Sequence, residues 1–276
     1  MSNSLSHDAI QQFRNYGFTP PISVMTPKEA GEYRIQMQAI EAVIGTLKGG
    51  YRLKCHMLYK WVSELIHSPM IVDRVEDLLG PNILCWGTDL WIKEPNSKQF
   101  VSWHQDNRYW GVEGKLLTAW IALSTATVES GCMRMLPGSH LKAGMEHQDT
   151  FHEDNMLTRG QTISDQIDES QSVNIEVGTG EAVFFDYGIA HASHPNRSND
   201  RRIGLAIRYI VPSARQVKSD WDSATLIRGD DKFGNFIHEP KPTIDFDPVT
   251  VKFHKKTNKN YLKILYSGTG MTEHRT

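Results

Sequence analysis

The sequence predicts a mostly β protein, in which an antiparallel sandwich or barrel core carries flanking α-helices. Two observations support this fold class. Residues 1–80 contain amphipathic stretches bounded by helix-capping residues, whereas from Ile83 onward eight short runs rich in Val, Ile, Trp and Phe alternate with turn residues. Many short strands at modest spacing are typical of all-β sandwiches and barrels.

Four helices are predicted in the first eighty residues. Ser6 is a suitable cap for a short helix that ends near Gly17. The segment Thr26-Pro27-Lys28-Glu29 combines a cap, a first-turn proline and a glutamate three residues after the cap, which together mark a helix start. This second helix is expected to extend to about Leu47. The other two helices are expected at 56–67 and from Pro69 to Gly80.

We expect the 276 residues to form one domain. It comprises a helical layer (1–80), a β core (81–212) and a C-terminal extension (213–276), which we expect to be irregular because it is polar. The polar segment 138–170 is a long insertion, and such insertions are usually functional or mobile. The predicted strands are 83–94, 99–104, 116–124, 132–136, 173–177, 181–186, 189–193 and 202–211.

Composition excludes several classes of partner. The chain has 30 Lys+Arg against 32 Asp+Glu and no basic stripe, so we expect no nucleic-acid partner. No apolar run approaches the roughly 18 residues of a membrane span, so we expect no membrane association. Three cysteines without a C-x-x-C pair argue against a disulfide framework and favour the cytoplasm. The sequence contains no self-complementary stripe of residues, so it does not predict an oligomeric state.

Metal-ligand spacing occurs three times, in His104-Gln105-Asp106, His147-Gln148-Asp149 and His152-Glu153-Asp154. Residues two apart on a strand point to the same side, so a His and an Asp at this spacing can reach one ion. The first triplet lies at the end of an aromatic-rich predicted strand, which holds ligands rigidly. The other two lie in the polar insertion, and we interpret them as solvated loop.

A mononuclear iron site of two histidines and one carboxylate needs a third ligand and leaves positions open for substrate and O₂. The best candidates for this third ligand are the two histidines in the segment that follows Phe184-Phe185-Asp186. His191 continues a predicted strand, whereas His194 precedes a proline and is expected in a turn. We favour His191, with His194 as the alternative.

The predicted strand 202–211 alternates cleanly between two faces. Arg202, Gly204, Ala206 and Arg208 share one face, and apolar residues occupy the other. A long cation beside small residues leaves room for the carboxylate of a ligand, which an arginine binds with two hydrogen bonds. Arg201 is expected to be a surface charge.

The residues singled out above belong to an ordered set that resembles the phytanoyl-CoA dioxygenase family, whose members are iron(II)- and 2-oxoglutarate-dependent oxygenases. The resemblance spans about residues 50–212, and its motifs together are much more specific than any one of them. The matching segments are Lys54-Cys-His-Met57, Leu79-Gly-Pro-Asn82, His104-Gln-Asp106, Thr118-Ala-Trp-Ile-Ala-Leu123, Ser130-Gly-Cys-Met133, Leu136-Pro-Gly-Ser-His140, His191-Ala-Ser193, Asn196 and Arg202.

This resemblance implies a double-stranded β-helix core, which is a jelly roll of the cupin-like type. It implies His104, Asp106 and His191 as ligands of Fe(II), with 2-oxoglutarate and O₂ as the other reactants. Because Asp106 is present, hydroxylation is expected rather than the halogenation of relatives that lack this carboxylate. Further residues are implied to contact 2-oxoglutarate: Arg202 at its distal carboxylate, helped by Ser193, and Gln105, Trp120 and Leu90 around it.

The sequence identifies the substrate less clearly than it identifies the metal ligands and the cosubstrate. The aromatic and basic segments resemble a bacterial branch that acts on small polar molecules, with 2-aminoethylphosphonate dioxygenase as the most similar activity. Another small metabolite, an amino acid or an acyl-CoA are the alternative substrates, although no basic cluster suggests a coenzyme A site. Other classes left open are a zinc hydrolase and a non-enzymatic cupin-like binding module. Candidate substrate-binding residues are Lys54, His56, Asn107, Arg108 and Arg134.

Overall fold

The helical layer follows the capping signals of the sequence. In the computed structural model, which describes residues 4–142 and 144–269, Ser6 caps the first helix and Gly17 ends it in the left-handed conformation. Thr26 and Glu29 form a complete capping box at the second helix. The helices of this layer are α1 (His7–Tyr16), α2 (Pro27–Ile44), α3 (Lys60–Leu65) and α4 (Pro69–Leu79).

Two helix boundaries differ from the prediction. Helix α2 ends at Ile44 rather than near Leu47, because Gly45 has a positive φ of 83° and leaves the helical conformation. The third predicted helix is divided into a 3-10 turn at Cys55–Met57 and the short helix α3. Residues 1–3 of the predicted helical layer, Ala143 of the insertion and 270–276 of the extension lie outside the described residues.

Each of the eight predicted runs contains a strand. Additional short strands occur where the sequence has no alternating pattern, including a pair within the insertion. The strands are β1 (Ile22–Ser23), β2 (Ile83–Lys93), β3 (Val101–His104), β4 (Val112–Glu113), β5 (Leu116–Ala122), β6 (Met133–Met135), β7 (His147–Asp149), β8 (Gln161–Ile163), β9 (Val173–Ile175), β10 (Glu181–Asp186), β11 (His191–Ser193), β12 (Arg202–Ile210), β13 (Arg215–Gln216), β14 (Ser223–Arg228) and β15 (Ile237–His238); a short helix α5 (Asn107–Trp110) follows β3.

The strands form two main sheets. The larger sheet has the order β1-β10-β5-β12-β2-β14-β15, and the smaller has the order β3-β11-β6-β9. Neighbouring strands are antiparallel except for β14 and β15. The pairs β4–β13 and β7–β8 form two small separate ribbons. This two-sheet arrangement is the jelly-roll core that the resemblance implies.

Strand β12 explains how the layers stack, because its two faces carry different residues. Ile203, Leu205 and Ile207 belong to a buried apolar cluster that also contains helix residues such as Trp61 and Ile71. The opposite face, with Ala206, packs toward the smaller sheet. The helices therefore cover one face of the large sheet, and the space between the two sheets is left for the cavity described below.

The expectation of an irregular C-terminal extension is wrong. Strand β14 pairs with β2 and widens the large sheet, and an 18-residue helix, α6 (Pro248–Leu265), follows. Asp247 and Pro248 are its cap and first residue, which is a readable start signal. The helix has little apolar periodicity because polar side chains form much of its buried face, namely Thr250, His254 and Thr257. No helix among residues 4–142 and 144–269 has both the length and the apolar character needed to cross a membrane.

A buried ionic network joins the C-terminal extension to the rest of the core. The side chain of Glu239 is fully buried and lies 2.9 Å from Nζ of Lys54 and 2.7 Å from Nε2 of His56. Thr225 donates a further hydrogen bond to the same carboxylate. Burial opposes its ionisation, but the positive charges of Lys54 and His56 hold the pKa of Glu239 well below its ordinary value.

We predict that Glu239→Gln lowers the free energy of unfolding by about 3 kcal/mol, because the charge of Lys54 then remains buried without its main partner. Urea denaturation at neutral pH measures this loss. Glu153→Gln, at an exposed position of the insertion, is the matched control and should change stability by less than about 0.5 kcal/mol. Equal stability of the two variants would contradict the assignment of this network as a stabilising element.

Candidate metal centre

Three side chains with metal-binding atoms converge between the two sheets. Ligand atoms of His104, Asp106 and His191 all lie within 4.8 Å of one another. Nε2 of His104 is 3.4 Å from Oδ1 of Asp106, and these two side chains are 5% and 11% exposed. Within the described part of the chain, no other group of three or more His, Cys, Asp or Glu side chains has this spacing.

The pairing of two strands brings distant parts of the sequence together at this site. Strands β3 and β11 are antiparallel neighbours, and His191 lies directly opposite His104 in their register. The two imidazole rings consequently lie 4.1 Å apart between centroids. Asp106 follows the end of β3 at the start of α5, so the turn directs its carboxylate back toward the same space.

Both histidines are oriented in the same way. Nδ1 of His104 is 2.9 Å from the carbonyl oxygen of Ser102, and Nδ1 of His191 is 3.1 Å from that of Ile189. A carbonyl oxygen accepts only, so each Nδ1 carries the proton and donates it. Nε2 is then the nitrogen on each ring that is left to bind a metal ion.

Protonation states at the site also suit a cation. Burial lowers the pKa of His191 to about 4, so its imidazole is neutral at physiological pH. Burial alone would raise the pKa of Asp106, but its interactions with His104 and His191 and the charge of Arg208 hold this pKa below its ordinary value. Two imidazoles, of which that of His191 is neutral, and one carboxylate therefore face a common point.

A cavity extends from the three ligands to Arg202; we call it the inner cavity. Arg202 is only 2% exposed, and its Nε has no hydrogen-bond partner in the described structure. Its guanidinium lies over the Trp120 ring, 5.4 Å from the ring centroid. Gly204 permits this stacking, because a Cβ there would lie 2.1 Å from the Trp120 ring. An unpaired buried guanidinium is costly, and an anionic ligand would remove that cost.

Ser193 and Lys93 complete the Arg202 end of the inner cavity. Ser193 lines the cavity and accepts a 2.6 Å hydrogen bond from Nζ of Lys93. Lys93 lies opposite Arg202 in the register of β2 and β12 and also donates to the carbonyl oxygen of His194. Burial, assisted by the charge of Arg202, lowers the pKa of Lys93 to about 6. Sequence reasoning missed Lys93. The two-residue spacing from Trp91, which puts both side chains on one face of β2, could have predicted its position.

Two of the expected 2-oxoglutarate contacts are not in the inner cavity. Leu90 is fully buried in the apolar cluster beneath the helices, because the alternation of β2 points it away and places Trp91 in the cavity instead. The side-chain amide of Gln105 donates to the carbonyl oxygen of Gly188 and accepts from the backbone N–H of Met145. Gln105 therefore attaches the insertion to the loop that carries Asp106.

None of the five residues expected to bind substrate lines the inner cavity or the cleft beside it. Lys54 and His56 are held in the buried network around Glu239. The backbone N–H of Asn107 donates to the carbonyl oxygen of Tyr187, and Arg108 lies 3.7 Å from Glu146 near the surface. Arg134 is engaged elsewhere as well: it bonds to His194 and Glu169 and stacks on Trp103.

The structure also separates the alternatives in the sequence. His194, whose Nε2 is 2.6 Å from Arg134, does not reach the other ligands, whereas His191 does. Arg201 is not a free surface charge, because it forms ion pairs with Glu41 and Glu94. His147 of the second triplet is also not solvated loop, since its Nε2 accepts a hydrogen bond from the backbone N–H of Gln105.

A second cleft adjoins the inner cavity, and we call it the outer cleft. Trp91, Asp106 and Arg208 line both spaces. The sequence gives a signal for Arg208, which shares a strand face with Arg202, but not for the remaining polar residues of the cleft. Those residues come from distant segments: Arg52, Asp89, Thr158, Gln161 and Tyr261.

A jelly roll with a His-x-Asp…His cluster has the architecture of mononuclear non-haem iron oxygenases of the two-histidine, one-carboxylate class. The donor set fits a ferrous ion, and the unpaired guanidinium of Arg202 fits a carboxylate of a cosubstrate. Residues 13–204 match the profile of the phytanoyl-CoA dioxygenase (PhyH) family. The chain belongs to this family.

Curated relatives share a part of the chain. A probable phytanoyl-CoA dioxygenase of Caenorhabditis elegans is 28% identical over 154 residues, which are 53% of this chain and 49% of the relative. A probable alpha-ketoglutarate-dependent hypophosphite dioxygenase of Stutzerimonas stutzeri is 27% identical over 162 residues, 58% of this chain and 56% of the relative. The chain thus spans about half the length of the curated relatives it matches.

Among solved structures, the non-heme monooxygenase ThoJ in its apo form is similar over nearly the whole chain. It is 31% identical with a TM-score of 0.84, and the match covers 94% of this chain and 97% of ThoJ. CytC3 with Fe(II) and alpha-ketoglutarate, at 21% identity and a TM-score of 0.67, shares the fold over 90% of this chain and 97% of CytC3.

We predict that His191→Ala weakens binding of Mn(II), a stable substitute for Fe(II), by at least about 100-fold, because one of three ligand atoms is removed. Isothermal titration calorimetry measures the affinity. His194→Ala, three residues further along the chain, is the matched control and should bind Mn(II) as tightly as the unmodified protein. A loss of affinity in His194→Ala but not in His191→Ala would show that the ligands have been assigned wrongly.

Proposed function

We propose that the protein is an Fe(II)- and 2-oxoglutarate-dependent dioxygenase that hydroxylates an aliphatic carbon of a small polar molecule. The observation that carries this proposal is the unpaired guanidinium of Arg202 in the same cavity as His104, Asp106 and His191. A metal site alone would also suit a zinc hydrolase. The unpaired guanidinium in addition fits a cosubstrate that carries a second carboxylate, as 2-oxoglutarate does, and so favours the oxygenase.

In this proposal each residue around the inner cavity has a defined task. His104, Asp106 and His191 hold the ferrous ion, and Asp106 occupies the position that a halogenase leaves for chloride. Arg202 binds the distal carboxylate of 2-oxoglutarate with two hydrogen bonds, and the Ser193 hydroxyl donates a third. When bound, iron and 2-oxoglutarate supply the O₂ chemistry that puts one oxygen atom into a C–H bond and leaves succinate and CO₂.

The walls of the inner cavity exclude water during the reaction. Trp120, Met133 and Phe185 are all buried and lie between the metal ligands and the Arg202 end. In such an environment the hydrogen bonds from Arg202 to the cosubstrate are stronger than they would be in water. Trp120 also fixes the plane of the guanidinium by stacking beneath it.

For the substrate we propose 2-aminoethylphosphonate, hydroxylated to 2-amino-1-hydroxyethylphosphonate. Support comes from the sequence resemblance described above and from a relative named for hypophosphite, which is another small phosphorus compound. We place the enzyme in the cytoplasm, where its three free, buried cysteines remain reduced.

We predict that Arg202→Gln raises the Kd of 2-oxoglutarate by about 10- to 100-fold, because charge-assisted hydrogen bonds to its distal carboxylate are lost. The charge-transfer absorption that forms when 2-oxoglutarate chelates Fe(II) under argon measures this Kd. Arg201→Gln is the matched control: it removes the neighbouring arginine, which pairs with Glu41 and Glu94, and should leave the Kd unchanged.

Turnover completes this test. The unmodified protein should release succinate from 2-oxoglutarate in the presence of 2-aminoethylphosphonate and Fe(II). Succinate release with an acyl-CoA but not with 2-aminoethylphosphonate would replace the proposed substrate and keep the class. Activity with Zn(II) and without 2-oxoglutarate would refute the class itself.

A further inference from the structure

Besides the metal-site residue Asp106, the outer cleft contains three charged side chains that are almost completely buried. The side chains of Arg52, Asp89 and Arg208 are 12%, 5% and 7% exposed. Nη2 of Arg208 donates to Oδ2 of Asp89 at 3.3 Å, and Nε of Arg52 lies 3.8 Å from Oδ1 of Asp89. One carboxylate thus lies between two guanidinium groups, and the three side chains together carry one net positive charge.

In this group of three side chains, the carboxylate and one of the guanidinium groups each have an atom without a hydrogen bond. In the described structure, Oδ1 of Asp89 and Nε of Arg208 are buried atoms without a hydrogen-bond partner. Buried polar atoms are rarely left in this state, because each unmade hydrogen bond costs stability. The cleft therefore lacks one acceptor near Arg208 and one donor near Asp89.

Aromatic rings limit where these groups can move. The Arg208 guanidinium lies over the Trp110 ring, 4.7 Å from its centroid, and that of Arg52 lies over the Trp91 ring at 5.2 Å. Stacking restrains the planes of both groups and leaves their edges as the available donors. The arrangement is preorganised for an anion that approaches in those planes.

The position of the cleft connects it with the metal centre. Asp106 lines both the outer cleft and the inner cavity, so a molecule in the cleft lies next to the ligands. Helix α6 closes the opposite side with Tyr261 and Leu265. The ring of Tyr261 meets the Trp86 ring edge-on, at 5.7 Å between centroids.

We propose that the outer cleft binds a small zwitterion, whose anionic group contacts Arg208 and Arg52 and whose ammonium group contacts Asp89. This rests on the proposed function, which it deepens by assigning the residues that select the substrate. A zwitterion supplies the missing acceptor and the missing donor at once. A simple anion would leave Oδ1 of Asp89 unpaired, and a simple cation would leave the two guanidinium groups in excess.

Isothermal titration calorimetry on the protein, with and without Mn(II) and 2-oxoglutarate, tests this proposal. The probes are 2-aminoethylphosphonate, taurine and β-alanine. For 2-aminoethylphosphonate, propylphosphonate lacks the ammonium group and 3,3-dimethylbutylamine lacks the anionic group at nearly the same size. We expect at least one zwitterion to bind about tenfold or more tightly than its analogues that carry a single charge.

Two variants assign the contacts. Asp89→Asn should remove the preference for the zwitterion over the analogue that lacks the ammonium group. Arg208→Gln should remove the preference over the analogue that lacks the anionic group. The exposed variants Asp230→Asn and Arg197→Gln are controls of the same chemical change and should keep both preferences.

The proposal is overturned if none of the three zwitterions binds more tightly than its analogues, or if Asp89→Asn keeps the ammonium preference. Failure of the proposed function gives a different result, namely no charge-transfer absorption with Fe(II) and 2-oxoglutarate in the unmodified protein. Calorimetry does not depend on iron chemistry, so it reports on the cleft in either case.

Discussion

The burial of Arg202 without an anionic partner is the constraint on which the function of the molecule depends. A folded protein keeps such a group only when something compensates for the lost hydration, and in this cavity nothing in the described chain does so. Arg202 is held by the pairing of β12 with β2 and by Trp120 beneath it. Burial of this guanidinium lowers the stability of the unliganded protein, and the cavity keeps a site that fits a carboxylate. The three metal ligands line the same cavity.

Strand pairing produces the rest of the site. The register of β3 and β11 places His104 opposite His191, and a carbonyl two residues before each histidine fixes the metal-binding nitrogen. The same alternation along β12 that directs Arg202 into the inner cavity places Arg208 where this cavity adjoins the outer cleft. One strand face therefore lines two neighbouring spaces, and Asp106 lies where they meet.

Sequence reasoning was most successful where the signal was local. The His-x-Asp pair and the faces of β12 follow from a period of two, and the preference for His191 over His194 follows from the proline after His194. The structure brings His104, Asp106 and His191 together. The same period explains the misplacement of Leu90, since a shift of one residue moves a side chain to the other face. Lys54 and Arg134 were chosen for their charge alone, and each has a partner, Glu239 or Glu169, that lies far away in the sequence. The outer cleft could not be predicted because Arg52, Asp89 and Tyr261 meet only through tertiary packing.

A crystal structure of the protein with Fe(II) and 2-oxoglutarate, determined under argon with the anomalous signal of iron, tests the central claim most directly. We expect a single iron bonded to Nε2 of His104, to Nε2 of His191 and to the Asp106 carboxylate, with the distal carboxylate of 2-oxoglutarate on the Arg202 guanidinium. Iron bonded at another site, or a distal carboxylate that points away from Arg202, would contradict it.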